Sequence, residues 1–105
     1  MSYAVVFAPE AEDQLADLYF YIATEASLAT AQHYTDAMVS CCEGLAIFAH
    51  RGTPRDDIRP GMRITNYKGR TVIAFAVNEA AMQVSILGVF YGGQDYETAL
   101  AEPET

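Results

Sequence analysis

Residues 62–91 read MRITNYKGRTVIAFAVNEAAMQVSILGVFY, and the division of this stretch into three runs decides the fold. Met62, Ile64 and Asn66 alternate with Arg63, Thr65 and Tyr67, the period-two pattern of a strand with one face toward a core. Lys68-Gly69 supplies a two-residue hairpin turn, in which glycine accepts the positive φ that such turns demand. The chain then runs from Arg70 to Asn78 through Val72, Ile73, Ala74, Phe75, Ala76 and Val77. It turns at Glu79-Ala80-Ala81 and returns from Met82 to Tyr91 through Val84, Ile86, Leu87 and Val89. Connections this short join antiparallel neighbours, so the three runs form an antiparallel meander. The nearly unbroken apolar character of the last two predicts that much of the sheet is covered.

The cover is encoded upstream. Residues 3–8, Tyr-Ala-Val-Val-Phe-Ala, are short, β-branched and aromatic, and read as a first strand closed by Pro9. Pro9 suits the first position of a helix, and Glu10, Glu12 and Asp13 sit where the helix dipole favours anions. A helix is predicted from Pro9 to Ala26, with Ala11, Leu15, Leu18, Tyr19 and Ile22 on one stripe. Ser27 then caps a second helix reaching Ala49, whose seam is Ala31, Tyr34, Met38, Cys41, Leu45 and Phe48. So short a connection folds the second helix back on the first as an antiparallel hairpin. Residues 50–61, with two prolines, two glycines and no periodicity, read as a loop. Gly92-Gly93 ends the last strand, Gln94 to Ala101 form a short helix, and residues 102–105 are expected to be a frayed tail. The predicted class is α+β, an N-terminal strand and a helical hairpin packed on an antiparallel meander with a short C-terminal helix, in one domain over residues 1–105.

Charge narrows the function. The formal net charge of -8 argues against a general binder of free DNA, because affinity for phosphate backbones comes from clustered Lys and Arg. The distribution is uneven. All six bases, Arg51, Arg55, Arg59, Arg63, Lys68 and Arg70, lie within residues 51–70 against Asp56 and Asp57 alone, a local balance of +4. Residues 1–50 carry seven acids and no Lys or Arg. A small positive surface on an acidic body is one reading; a solvated loop and strand is the other. The two cysteines, Cys41 and Cys42, are adjacent and encode no disulfide framework, which suits a reducing cytoplasm. No basic leader and no apolar run of the ~20 residues a bilayer requires is present, so neither secretion nor membrane insertion is expected.

No metal is expected, because His33, His50 and the paired cysteines have no ligand spacing, and neither a phosphate-cradling glycine loop nor a nucleophile elbow occurs. No cofactor is expected either. Metal-free RNA cleavage needs a base for the 2′-hydroxyl, cations for the phosphorane and an acid for the leaving oxygen. Arg63 and Arg70 offer charge, Tyr67 or Tyr91 a phenol, and His50 is the one histidine near the strands.

Gly52-Thr53-Pro54-Arg55-Asp56-Asp57-Ile58-Arg59-Pro60-Gly61-Met62-Arg63, followed by Val84-Ser85-Ile86-Leu87-Gly88-Val89-Phe90-Tyr91-Gly92-Gly93-Gln94-Asp95-Tyr96-Glu97, resembles the two hallmark segments of ParE-type toxins in the RelE/ParE superfamily. The opening Phe7-Ala8-Pro9-Glu10-Ala11-Glu12-Asp13-Gln14-Leu15 resembles the family's first strand and helix. The resemblance spans roughly residues 3–100 and implies the toxin of a type II toxin-antitoxin pair. It further implies a cognate, ParD-like antitoxin encoded beside it, and inhibition of DNA gyrase by binding rather than by catalysis. RelE-type relatives cut mRNA on the ribosome and carry cations near the end of the last strand. Here that end reads Phe90-Tyr91-Gly92-Gly93, and residues 71–105 contain no Lys or Arg. On this basis Arg59, Arg63 and Arg70 are the expected target-facing cations and Tyr91 an aromatic contact. Asp56, Asp57, Pro60 and Gly61 are expected to fix the loop, a role Arg59 would share. A ribosome-dependent nuclease and a degenerate toxin that only binds antitoxin stand as alternatives.

Overall fold

The computed structural model describes residues 2–92 and 94–101. The expected tail at 102–105, and Gly93, lie outside them. Strand β1 (Ala4–Phe7) leads into helices α1 (Pro9–Glu25) and α2 (Leu28–Glu43), and a 3-10 turn at Gly44–Ala46 follows. Strands β2 (Thr53–Pro54), β3 (Met62–Tyr67), β4 (Thr71–Asn78) and β5 (Gln83–Tyr91) and helix α3 (Tyr96–Leu100) complete the chain. The sheet order is β1-β5-β4-β3-β2, antiparallel except for β1, which lies parallel to β5. The α+β reading holds in full: strand, helical hairpin, meander, short helix. None of these helices is long and apolar enough to cross a membrane.

Three boundaries differ from expectation, each for a local reason. The loop after α2 contains β2, whose two residues pair Thr53 with Ile64 and Pro54 with Arg63. Pro54 is tolerated there because an edge strand needs no N–H on its outer side. The β3–β4 turn has three residues, not two, since Tyr67 pairs with Thr71. Lys68 (φ 52°) and Gly69 (φ 73°) both take the left-handed region, and the Arg70 carbonyl accepts from the Gly92 N–H at 2.9 Å. Arg70 is thereby tied to the end of β5. Finally, α2 stops at Glu43 rather than Ala49, because Gly44, a poor helix residue, tightens the chain into 3-10 geometry. Phe48 consequently points outward, 62% exposed, and Ala49 takes the buried place. The fully buried cysteine is Cys42, with Cys41 half-buried beside it. Burial pushes the Cys42 thiol up to about 12, which keeps it protonated and unreactive.

The β4–β5 pair has a core on each face. On one, Leu18, Met38, Cys42 and Leu45 of the hairpin region pack on Ile73, Phe75, Val84, Ile86 and Val89. On the other, Leu100 of α3 covers Met62, Ala74 and Phe90, with Ile58 and Tyr96 at the margin. The ladder passes from Ala74↔Gly88 to Phe75↔Ile86, leaving Leu87 as a bulge residue. Next to this irregularity the Val89 N–H donates to Gln14 Oε1 of α1 at 2.7 Å. Gly88 is required there: a Cβ would stand 2.6 Å from the Phe90 ring and 3.0 Å from Gln14 Oε1.

A five-residue helix cannot hold itself on a sheet, and α3 is fastened by the preceding loop. Arg55 forks onto Asp57 (Nε to Oδ1 3.0 Å, Nη2 to Oδ2 2.9 Å). It also donates to the Tyr96 hydroxyl at 2.8 Å and to Glu97 Oε2, both on α3. Asp95 caps the helix, accepting from the Thr98 N–H at 3.1 Å.

Two measurements check these fastenings. Gln14→Leu strands the Val89 N–H beneath the helix and is expected to lower stability by about 1–3 kcal/mol, the usual cost of an unmade buried hydrogen bond; an unshifted urea midpoint would show that the side chain contributes nothing. The Arg55 guanidinium holds the Asp57 carboxyl below the usual carboxylate range. A carboxyl lowered in this way contributes stability above its unfolded pKa of about 3.9 and loses it as pH falls through the lower folded value. In low salt, the acid side of the stability profile below about pH 4 should therefore be shallower in Arg55→Met than in the native chain; parallel profiles would remove the Arg55–Asp57 linkage.

Candidate functional site

The six bases divide into three turned inward and three left outside. Arg55 is spent on the α3 fastening described above. Arg63, expected to face a target, is half-buried and points at the backbone of the preceding loop. Its guanidinium donates to the carbonyls of His50 (2.5 Å), Arg51 (3.0 Å) and Gly52 (3.3 Å). The reason is its place on β3. Arg63 shares the hairpin-side face with Tyr67, and the chain of residues 50–52 runs alongside it and presents its carbonyls to the guanidinium. Arg59 is also half-buried, and its Nε is buried with no hydrogen-bond partner among the described residues.

Nor does Arg59 fix the loop through the neighbouring carboxylates, which are engaged elsewhere. Asp57 holds Arg55, and Asp56 Oδ1 accepts from the Gly61 N–H at 2.9 Å. Pro60 and Gly61 occupy the middle of a turn closed by the Met62 N–H on the Arg59 carbonyl at 3.0 Å, with Gly61 at φ 78°. That is the position where a turn of this type calls for glycine. The exposed bases are Arg51, Lys68 and Arg70. Each lies over an aromatic ring: Arg51 over Phe48 at 5.8 Å, Lys68 over Tyr67 at 5.6 Å and Arg70 over Tyr91 at 5.9 Å. None of the three forms an ion pair among the described residues.

Arg70 and Tyr91 meet in a cleft of about 570 Å³ between α1 and the end of the sheet. Gln14, Asp17, Leu18 and Tyr21 form its helical wall; Arg70, Val89, Tyr91, Gly92 and Gln94 form the other. Gln94 Oε1 accepts from the Tyr91 N–H at 2.9 Å and so closes the strand end. Tyr91 belongs to a run of four rings drawn from α1, α2, β3 and β5. Tyr21 and Tyr91 are 5.9 Å apart, Tyr91 and Tyr34 6.3 Å, and Tyr34 and Tyr67 5.4 Å, the last two pairs edge to face. Contacts of this geometry stabilise by about 0.5–1.5 kcal/mol each beyond area burial. The Tyr34 hydroxyl lies 2.8 Å from Thr71 Oγ1, which anchors the run to β4.

Of the four expected target contacts, the fold therefore unites Arg70 and Tyr91 and sets Arg59 and Arg63 apart from them. Asp17, Tyr21 and Gln94 were not anticipated. A signal existed, since Gln14, Asp17, Leu18 and Tyr21 are spaced at three and four residues and must share a helix face.

His50 is elsewhere. It lines a smaller cavity of about 190 Å³ with Asp56, Gly61, Arg63 and Glu79. Its Nε2 contacts Glu79 Oε1 at 2.5 Å, and the Tyr3 hydroxyl donates to Glu79 Oε2 at 2.6 Å. The Tyr3 hydroxyl, and then His50, hold the Glu79 carboxyl below its ordinary range, while the same hydrogen bond pushes the Tyr3 phenol up. The histidine and the Arg70–Tyr91 pair therefore line different cavities. No group of three or more His, Cys, Asp or Glu residues is placed to hold a metal among the described residues.

Similarity to solved structures follows the fold. A chain of the chromosomal ParDE toxin-antitoxin system from P. aeruginosa superposes with a TM-score of 0.74 at 17% identity, covering 87% of this chain and 97% of that one. A chain of the RelBE2 toxin-antitoxin complex from Mycobacterium tuberculosis gives 0.67 at 19%, covering 87% and 92%. A mutant of the E. coli toxin RelE in the free state gives 0.58 at 15%, covering 96% and 95%. Identities this low speak for the architecture alone. No curated protein sequence matches the chain. The family assignment rests on the sequence model of the ParE toxin of type II toxin-antitoxin systems, which matches residues 5–96, and the chain belongs to that family.

Proposed function

We propose that this ParE toxin acts in the cytoplasm by binding, with DNA gyrase as its target and a ParD-like antitoxin as its neutralising partner. The observation that carries the reading is the separation of the one strand-side histidine, His50, from the cleft that holds Arg70 and Tyr91. Acid-base cleavage of RNA requires a proton acceptor within hydrogen-bond reach of the reacting hydroxyl, and the cleft, which offers a guanidinium, phenols, amides and the exposed Asp17 carboxylate, holds no imidazole. Its groups suit recognition. The exposed cations Arg51, Lys68 and Arg70, each backed by a ring, provide a contact surface for an acidic patch on a protein target. This surface replaces the set expected from the sequence, since Arg59 and Arg63 are directed inward. The antitoxin follows from the family and from the relatives, two of which are components of toxin-antitoxin systems.

A nuclease reading draws on the likeness to the RelE fold and on the Arg70–Tyr91 pair, and one experiment separates the two. Induced expression in a bacterium lacking the antitoxin should arrest growth with loss of gyrase supercoiling and intact mRNA. Lys68→Glu/Arg70→Glu, altered only at exposed positions, should raise the toxin concentration needed for half inhibition of purified gyrase at least about tenfold, one factor of ten per ~1.4 kcal/mol of lost contact. Arrest with cut mRNA and unaffected supercoiling would establish the nuclease instead, and absence of arrest would mark a chain that only binds antitoxin.

A further inference from the structure

Strand β1 closes one edge of the sheet and pairs on one side, in parallel with β5. Its even residues face that neighbour: the Ala4 N–H donates to the Met82 carbonyl and the Ala8 N–H to the Ile86 carbonyl, both at 2.9 Å. Backbone groups alternate along a strand, so the N–H and C=O of Tyr3, Val5 and Phe7 point away from β5. The Tyr3 N–H is taken by the Ala46 carbonyl at 2.7 Å, and Pro9, the next odd residue after Phe7, has no N–H to give. Val5 and Phe7 keep both groups without a backbone partner among the described residues. The edge also lacks the usual protection: residues 3–8 carry no charge and no proline. Val6, on the face away from the hairpin, is 41% exposed.

We infer that this edge pairs with the same edge of a second copy, as an antiparallel dimer whose two-fold axis passes beside Val6. The free backbone groups lie symmetrically about that residue, as an isologous interface requires. Val5 then stands opposite Phe7 of the second copy and Phe7 opposite its Val5, and each pair exchanges both backbone hydrogen bonds. Tyr3, its N–H already spent, falls opposite Pro9, so the ladder stops cleanly at both ends. A slide of two residues one way sets Tyr3 against Phe7, and the other way sets Pro9 against Val5; either loses a donor. Side chains agree with this register. Val6 faces its symmetry mate in a non-hydrogen-bonded pair with Cα atoms about 4.5 Å apart, a β-branched contact, and Ala4 faces Ala8, too small to obstruct. Charge agrees as well. Each β1 end, where Glu10 and Glu12 open α1, approaches the start of the other β1, beside which the segment of Ala46 runs. That segment continues to Ile47 and Phe48, 68% and 62% exposed, and to Arg51, which lies over the Phe48 ring and has no ion pair among the described residues. The acidic helix start of one copy thus meets the exposed base of the other.

The test is sedimentation velocity on the purified chain, free of any other protein. It is run at physiological ionic strength, where a Debye length of about 8 Å screens the repulsion between two bodies of net charge -8. A four-residue edge makes a small interface, and small interfaces associate weakly. Monomer should therefore give way to dimer between loadings of about 1 and 100 µM. Val6→Lys sets like charges directly opposite each other and should raise the dissociation constant at least about tenfold, with far-UV circular dichroism verifying that the variant is folded. Cross-linking reads the register. Val6→Cys places two thiols across the axis within the Cα span of about 4.4–6.8 Å that a disulfide bridges, and mild oxidation should give a covalent dimer beyond whatever the native chain yields. Ala4→Cys, whose copies lie at least about 13 Å apart, four residues along the strand, should give none. A native chain that stays monomeric at every loading, oligomers that keep growing past the dimer, a dimer untouched by Val6→Lys, or Ala4→Cys linking as readily as Val6→Cys would each overturn the inference.

Discussion

Strands β4 and β5 bury side chains on both faces, and the rest of the molecule is arranged to satisfy that condition. Phe75, Ile73, Val84 and Ile86 are fully buried against the helical hairpin, while Ala74, Met62 and Phe90 are buried on the reverse side. One cover is generous, two helices of 17 and 16 residues. The other is a helix of five residues and a loop, and it is the weaker because burial by Leu100 and Tyr96 alone cannot order so short a helix. Arg55 resolves the difference by binding the loop carboxylate and two side chains of α3 at once. The exposed, charged nature of this fastening makes it sensitive to salt and acid in a way that the hairpin side is not.

The same condition shapes the end of the sheet. The helical hairpin reaches the end of β5, where Tyr21 of α1 and Tyr34 of α2 meet Tyr91, and a cleft opens between α1 and that strand end. The cleft is the space left at that margin. Tyr21, Tyr34, Tyr67 and Tyr91 collect there because a tyrosine can bury its ring against the last of the core and keep its hydroxyl toward water or, in Tyr34, toward Thr71. A site formed in this way comes with aromatic surface and with whatever charges the turn and the helix present. Here those are Arg70 and Asp17.

Much of this was legible beforehand. The alternation of Met62, Ile64 and Asn66 against Arg63, Thr65 and Tyr67, and the three- and four-residue spacing of Ala31, Tyr34 and Met38, identify strand and helix because burial imposes those periods directly. Two-residue β2 carries no period and was invisible; so was the end of α2, where the apolar spacing continues to Phe48 although the backbone changes geometry at Gly44. Side-chain direction at the site was less accessible. Arg63 reads as an exposed strand residue until residues 50–52 are known to cross its face and offer three carbonyls. Arg70 and Tyr91 could be named from their types, but Asp17 and Tyr21, more than forty positions away, become their neighbours only through the packing of α1 on β5.

Net charge is a poor guide to what such a surface can bind, and the distances decide the matter. With a screening length of about 8 Å at physiological ionic strength, acids on the hairpin beyond that distance from Arg51, Lys68 and Arg70 cancel little of their charge at a contact. The acidic body disfavours polyanions at long range. A basic stripe of six residues would have attracted nucleic acid with little discrimination. By turning Arg55, Arg59 and Arg63 inward the fold leaves three exposed cations, each over a ring, in place of a continuous basic stripe.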